Sequence, residues 1–391
     1  MNSRVLVTDG EQRSSLAVVR SLGRAGDAAF VCARSARSLA GASRYAAGQA
    51  AAPDPLSQPA EFVAAVRELV RNWQIEIVLP LTEAAMLALL PARDTLGATL
   101  PCASAESFRR ISDKGLLLET AGQVGIAVPE QRTLTGADQA GWSGLAAMGF
   151  PLVLKPARSV AGGLKLSVQH AANVAELELV RQRLPAEAYP ILAQRRIVGP
   201  GVGIFLLVWD GETRAVFSHR RIREKPPAGG VSVYRESIAA EPGLVARSRA
   251  LLDRFAWQGV AMIEYKVDEA TGTPYLMEIN GRFWGSLQLA IDAGVDFPRL
   301  LIEAANGQEA AAVPAYRIGV RSRWWLGDVD HLLARLRKSD AELALPPGSP
   351  SRFRAVLDFL TLWRPGDRSE VCRWSDPAPA LHETLQWLRG Q

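Results

Sequence analysis

Two strand-like runs joined by a short turn constrain this chain more than any other feature. Gly259 to Val267 (GVAMIEYKV) and Pro274 to Asn280 (PYLMEIN) flank the turn-forming segment Asp268 to Thr273 (DEATGT), so an antiparallel hairpin is expected. With the turn centred on Thr271, Glu264 falls opposite Glu278, and Asn280 lies beside Met262 on the same pleat face. Like charges directly opposite one another destabilise a sheet, and an unpaired charge among apolar neighbours is costly. A divalent cation between them resolves the conflict: two carboxylates and an amide are oxygen ligands suited to Mg²⁺ or Mn²⁺, with further positions left for phosphate oxygens. Lone glutamates in strands usually point into solvent. Here, however, Asn280 and Arg282 follow Glu278 at the same two-residue step, so acid, amide and guanidinium are expected to face one anionic ligand.

Upstream, Arg4 to Thr8 reads as a strand, Asp9 to Arg13 as a polar turn, and Ser14 to Ala25 as a helix with Leu16, Val19 and Leu22 on one side. Gly26 closes that helix and Ala28 to Cys32 resumes an apolar run, giving a βαβ unit whose ligand-facing loop lies at a strand's carboxyl end. A helix over Glu61 to Trp73, a strand over Ile75 to Leu79, a turn at Pro80 to Glu83 and a strand near Thr99 to Ala103 continue the pattern. The first 108 or so residues are therefore expected to form a small parallel-sheet domain. Beyond Lys114 the spacing gives a helix to Val124, a turn at Val128-Pro129, a helix near Ala137 to Met148 and a strand over Pro151 to Lys155. Hairpins then dominate: a glycine-containing loop follows Lys155 and leads into Leu164 to Val168, and Asp210-Gly211 separates Ile204 to Trp209 from Arg214 to Ser218. The fold class expected is α/β followed by α+β. From about Ala311, Pro346 to Pro350, with Pro347 inside it, forms a loop between two helical patches.

Composition narrows the function classes. The chain has 391 residues, 48% of them hydrophobic, enough for two or three packed domains. Its formal charge is only +5 and no block of like charges reaches five residues, so a nucleic-acid partner is not expected. Cys32, Cys102 and Cys372 are far apart with no CxxC pair, against a structural zinc site or disulfide framework, and suit a reducing cytoplasm. The start MNSRVLVTDG has no apolar core of a leader, and no run of 18 apolar residues occurs, so neither secretion nor a membrane is expected. The four histidines show no metal-ligand spacing, and no nucleophile elbow or Ser-His-Asp order is present.

The segment Met277 to Ala290 (MEINGRFWGSLQLA) resembles the metal-binding signature of the ATP-grasp superfamily, nearest to its carboxylate–amine ligases of the carbamoyl-phosphate-synthetase and biotin-carboxylase type. The usual form there is Glu-x-Asn-Pro-Arg, and Gly281 stands in the proline's place. The resemblance runs over about residues 1–305. It implies a Rossmann-like preATP-grasp domain (1–108), an ATP-grasp domain of two α+β subdomains (109–305, with a lid at about 120–190), and a C-terminal extension (306–391). It further implies that Glu264, Glu278 and Asn280 hold Mg²⁺ (or Mn²⁺), and that Arg282 contacts the γ-phosphate and the acyl phosphate made from it. Lys114 and Lys155 match the two ATP lysines, point cations that neutralise phosphates without reacting. The loop Arg158 to Gly163, with Gly162 and Gly163, is placed to close over the phosphates, although it lacks the Walker pattern. Gly199 to Gly203 reads only as a glycine turn joining strands.

Ile191 to Ile197 falls at the family's adenine hinge, so Gln194, Arg195 and Ile197 are candidate nucleotide contacts; Arg195 replaces the usual acid. In the basic segment Ser218 to Ser237, Arg220, Arg223, Lys225 and Arg235 are candidates to border the phosphates and the acid substrate, with Arg220 and Arg235 assigned to the catalytic set. Asp9, Gly10, Arg13 and Glu83 sit at strand ends of the first domain, where the family binds its carboxylate substrate. The implied reaction is attack of a small-molecule carboxylate on ATP, giving an acyl phosphate and ADP, and then displacement of phosphate by an amine. A homodimer is compatible with the resemblance. Two alternatives stand beside this expectation: a nucleotide-binding module without turnover, suggested by Arg195, and a bicarbonate-activating enzyme. Trp324-Trp325 and Trp363 leave three roles open for the C-terminal stretch: cover for the site, a core of its own, or a partner surface.

Overall fold

The fold is seen in a computed structural model that describes residues 2–308, 313, 315–346, 348–362 and 364–390. Ala311, Pro347 and Trp363 lie outside the described residues. Strands β1 (Arg4–Val7), β2 (Ala28–Ala33), β3 (Ala46–Ala51) and β4 (Ile77–Leu79) form an all-parallel sheet in the order β3-β2-β1-β4. The helix Arg13–Ala25 crosses between β1 and β2 and ends on Gly26, whose φ of 95° is the left-handed cap that glycine adopts without strain. Two expectations need correction here. The strand near Thr99 to Ala103 is reduced to a single bridge from Ile77 to Thr99, and the unforeseen edge strand β3 (AAGQAA) carries almost no β-branched signal.

A second sheet, all antiparallel, has the order β5-β10-β6-β9, from β5 (Gln131–Leu134), β6 (Leu152–Pro156), β9 (Gln169–Ala171) and β10 (Ile191–Arg195). Between β6 and β9 a small hairpin, β7 (Val160–Ala161) and β8 (Leu164–Lys165), turns through Gly162 and Gly163 at φ 56° and 73°. The strand expected to run to Val168 thus stops at Lys165. The helix expected over Ala137 to Met148 is broken into Gln139–Ser143 and a 3₁₀ turn, Gly144–Met148. Leu152, Leu154, Ile191 and Ala193 on one face of the sheet pack with Trp142 and Leu145 in a core of their own. The opposite face carries Val153, Lys155 and Gln194, with Leu192 packed into a second core.

The third sheet holds seven strands in the order β15-β14-β11-β12-β13-β16-β17. These are β11 (Gly201–Trp209), β12 (Glu212–Lys225), β13 (Val231–Ser237), β14 (Gly259–Val267), β15 (Pro274–Asn280), β16 (Arg321–Arg323) and β17 (Asp367–Ser369). Its main core joins Phe205, Phe217, Trp284 and Phe297 to Leu16 and Val19 of the first domain's helix, so burial fixes the parallel sheet against the large one. The C-terminal stretch is not separate: β16 and β17 extend the large sheet, and the fully buried pair Arg20–Asp376, 2.8 Å apart, ties residue 376 back to the first domain. Among the described residues no helix is long and apolar enough to cross a membrane.

Candidate active site

The β14–β15 hairpin takes the register its sequence predicts, with Glu264 opposite Glu278 and Met262 opposite Asn280. A bulge follows, pairing Tyr265 with Leu276, so that Met277 is the extra residue. Asn280 Nδ2 donates to Glu278 Oε1 at 3.1 Å, and Arg282 Nη2 donates to Asn280 Oδ1 at 3.3 Å. Acid, amide and guanidinium therefore form one connected row. Gly281, between them, is required by packing rather than by loop freedom: a Cβ there would lie 2.2 Å from the Trp257 ring. Proline, the usual residue at this place, would meet the same indole.

The residue that sequence reasoning missed is Arg221. Its Nη2 lies 2.5 Å from Glu264 and its Nη1 2.6 Å from Glu224, and it also donates to the Gly230 carbonyl at 3.0 Å. It reaches β14 by crossing β11 at Gly201, where a Cβ would sit 2.8 Å from the Arg221 Cδ. The glycine run 199–203 is thus more than a turn, because it clears the path of this side chain. Burial works against the Arg221 charge, but Glu264 and Glu224 outweigh it and push its pKa up further. Glu264 is itself pushed up, first by burial, with Arg221 offsetting and Glu278 adding to the rise. Burial also pushes on Glu278, yet Lys114, Lys155 and the Asn280 amide together hold it below the usual range. Cations, not solvent, offset the burial of these facing acids.

Lys155 extends from β6 toward this row, its Nζ 3.8 Å from Met277 Sδ, and burial lowers its pKa to about 8 against the pull of Glu278 and Glu264. Lys114 begins the helix Lys114–Gln123, which Asp113 caps, and its Nζ donates to Ser159 Oγ at 2.7 Å. Lys114, Lys155, Glu264, Glu278, Asn280 and Arg282 are therefore brought to one place by the helix Lys114–Gln123, β6 and the β14–β15 hairpin with the residues after it. Gln194 is buried on the same sheet face as Lys155 and donates to Gln131 Oε1 at 3.0 Å. Ile197 is buried nearby in sequence, whereas the Arg195 side chain is exposed at the end of β10. Gly162 and Gly163 do not lie over the carboxylates; a Cβ on Gly162 would be 2.9 Å from Glu187, and Gly163 neighbours the Leu56 carbonyl.

The basic segment needs correction. Arg220 points to the far face of β12, half exposed, where it meets Glu236 at 2.6 Å, one residue out of step with Arg221. Arg235 shares the face of Arg221 but is fully buried and paired with Glu370, which Arg13 also holds at 2.5 Å. Arg223 is committed to Asp328 at 2.6 Å, whereas Lys225, although paired with Asp330, does line the cleft beside Arg282.

A cleft of about 780 Å³ opens beside Arg282. The strand ends of the first domain (Asp9, Arg13, Glu83), the Ser159–Lys165 hairpin and Trp324, Glu383 and Gln386 from the C-terminal stretch, in keeping with the first of the three roles left open for it, line it. Asp9 sits there in a left-handed conformation, φ 53°, its carboxylate accepting from Thr82 at 2.9 Å and from Thr8. Among the described residues no three His, Cys, Asp or Glu side chains converge as a metal cage. Two carboxylates and an amide fit Mg²⁺ when phosphate oxygens and water complete the shell, and a carboxylate pair facing across one hairpin is the donor set such a cation neutralises.

Comparison with known proteins agrees with this architecture. Residues 187–327 match the model of a family described as ATP-grasp in the biosynthetic pathway with Ter operon. No curated protein matches the sequence. Biotin carboxylase from Campylobacter jejuni, solved with β,γ-ATP, superposes with a TM-score of 0.65 at 15% identity over 81% of this chain and 74% of that one. L-amino acid ligase from Bacillus licheniformis gives 0.60 at 20% identity, covering 78% and 74%. N5-carboxyaminoimidazole synthetase from Staphylococcus aureus, complexed with ADP, gives 0.62 at 12% identity, covering 81% of each. The chain has the ATP-grasp fold, and the part that the family model matches contains the whole hairpin carrying Glu264 and Glu278.

Proposed function

We propose that the protein is an ATP-dependent ligase that activates a carboxylate as an acyl phosphate and couples it to an amine, releasing ADP and phosphate. The observation that carries this reading is the pair Glu264 and Glu278 facing one another across β14 and β15, with Lys155 reaching Met277 between them in sequence and Arg282 lining the cleft. In this reading residues 1–108 serve as the Rossmann-like preATP-grasp domain, 109–305 as the ATP-grasp domain and 306–391 as an extension completing the cleft.

Glu264, Glu278 and Asn280 would hold Mg²⁺, which when bound supplies charge neutralisation for the transferring phosphoryl group. Lys155 and Lys114 neutralise the α- and β-phosphates, and burial strengthens that attraction because little water screens it. Arg282, held in line by Asn280, receives the γ-phosphoryl group and then the acyl phosphate. No side-chain nucleophile is needed: the substrate carboxylate attacks phosphorus, ADP leaves, and the amine attacks the acyl carbon as phosphate leaves. The Ser159–Lys165 hairpin excludes water that would hydrolyse the acyl phosphate. The exposed Arg195 is compatible with adenine binding through backbone groups of the hinge.

The full chain with Mg·ATP and a panel of carboxylic acids tests the reading by release of ADP and phosphate. Release that depends on an organic acid supports it; release that depends on bicarbonate alone favours the carboxylase-like alternative, and binding of ATP without turnover favours the module.

A further inference from the structure

Five acidic side chains line the cleft: Asp9, Glu11, Asp54, Glu83 and Glu383. Four are engaged. Asp9 accepts from Thr8 and Thr82, Glu11 from the Arg34 N–H and guanidinium, Asp54 from the Leu56 N–H at 3.0 Å, and Glu383 from the Trp324 indole at 2.8 Å. Among the described residues Glu83 has neither a hydrogen bond nor an ion pair. It is half-buried, at the first position of the helix Glu83–Leu89, whose cap Thr82 accepts from the Ala85 N–H at 3.1 Å and donates to Asp9. Cap and strand end hold its backbone still while the carboxylate remains free.

The charges facing Glu83 are Lys114, Arg282 and Lys165, opposed by Glu278. In the ligase reading, on which this inference rests, Lys114 and Arg282 are taken up by phosphate. Of these cations only Lys165 then still faces Glu83, among several anions, an arrangement that is costly unless a further cation enters with the substrate. We infer that Glu83 receives the ammonium group of the nucleophile and takes its proton, so that the substrate class of this cleft is a primary amine that is cationic in solution. The step balances: the ammonium gives one of its three protons to the Glu83 carboxylate, the C–N bond forms as the bond from the acyl carbon to the phosphate oxygen breaks, a second proton leaves with the phosphate, and the third stays on the amide nitrogen. Burial raises Glu83 above the usual carboxylate range, with Lys114 and Arg282 pulling the other way, so it is a better proton acceptor than an ordinary surface glutamate.

The test compares the full chain with its Glu83→Gln variant in two reactions, using Mg·ATP and an acid active in the ADP-release panel. Hydroxylamine, uncharged at neutral pH, traps the acyl phosphate as a hydroxamate and needs no ammonium receptor; a primary amine used by the unaltered protein requires one. Expected is hydroxamate formation within about threefold of normal and a fall of about 100-fold in kcat/KM for the amine, the size of a general-base contribution. The deficit should shrink about tenfold per pH unit toward the amine's own pKa, as free amine accumulates, and Glu83→Asp should recover part of the rate. Normal amine turnover in Glu83→Gln overturns the inference alone, as does an equal loss of both reactions, which would put Glu83 at the phosphate step. If the unaltered chain forms no hydroxamate with any acid, the ligase reading fails and this inference with it.

Discussion

Arg221 sets its guanidinium 2.5 Å from the Glu264 carboxylate, a contact that crosses the intervening strand β11 over Gly201. Without it, Glu264 would lose the cation in direct contact with it while still facing Glu278. Arg221→Met should therefore lower the unfolding free energy by about 3 kcal/mol, with Mg·ATP recovering part of the loss, because removing one partner strands a buried charge. Arg220→Met, on the far face, should cost under about 1 kcal/mol. Urea unfolding with and without Mg·ATP measures both; equal effects would contradict the assignment of Arg221 to the site.

Trp257 against Gly281 gives a second prediction. Gly281→Pro restores the residue usual in the superfamily yet should destabilise by about 2 kcal/mol through overpacking, since the indole has to move. In the Trp257→Ala background the same change should cost clearly less, a coupling that a double-mutant cycle in urea reads directly. Additive effects would show that the indole does not exclude the proline.

Lys155→Met should remove nucleotide turnover while leaving the apo protein as stable or more so, by up to about 2 kcal/mol, because a poorly solvated ammonium is replaced by an apolar chain of similar length. Thermal unfolding and ADP release, measured on the same preparation, should move in opposite directions. A stability loss together with retained turnover would contradict the role given to Lys155.

Acid should weaken the fold through its buried histidines. His170 has its pKa lowered to about 4, mainly by burial and then by Arg196, Lys266 and Lys155, and His219 is shifted the same way by burial, Arg221 and Arg235. The unfolded chain binds these protons near pH 6.5 and the folded chain only near or below 4, so stability is full above 6.5 and declines as pH falls through that window. His170→Gln should flatten the decline by up to one proton, about 1.4 kcal/mol per pH unit. An unchanged slope in denaturant titrations at stepped pH would remove His170 from the account.

The hairpin was legible from strand alternation and its turn residues, and a turn centred on Thr271 puts Glu264 opposite Glu278; in the structure the turn pairs Val267 with Pro274, half a residue earlier, and the bulge at Met277 restores that register. The lysines and the Asn280–Arg282 row were legible from motif spacing. Arg220 was not separable from Arg221, because facing depends on which strand lies alongside and on bulges in β12 after Arg221, neither of which alternation alone reveals. The C-terminal share of the cleft was left open among three roles for a different reason. β16 (RSR) and β17 (DRS) are three residues each with no apolar pattern, and they become strands only because the edge of β13 offers them partners. β3 at the edge of the parallel sheet was missed on the same grounds.

The central claim is that the two facing carboxylates support acid-dependent turnover of ATP. Its most direct test is acid-dependent ADP release by Glu278→Gln against the unaltered chain, with folding monitored by circular dichroism. The account predicts retained folding and a fall in turnover of at least about 100-fold, the scale expected when phosphoryl charge loses its stabilisation. Undiminished ADP release by a folded Glu278→Gln protein would contradict it.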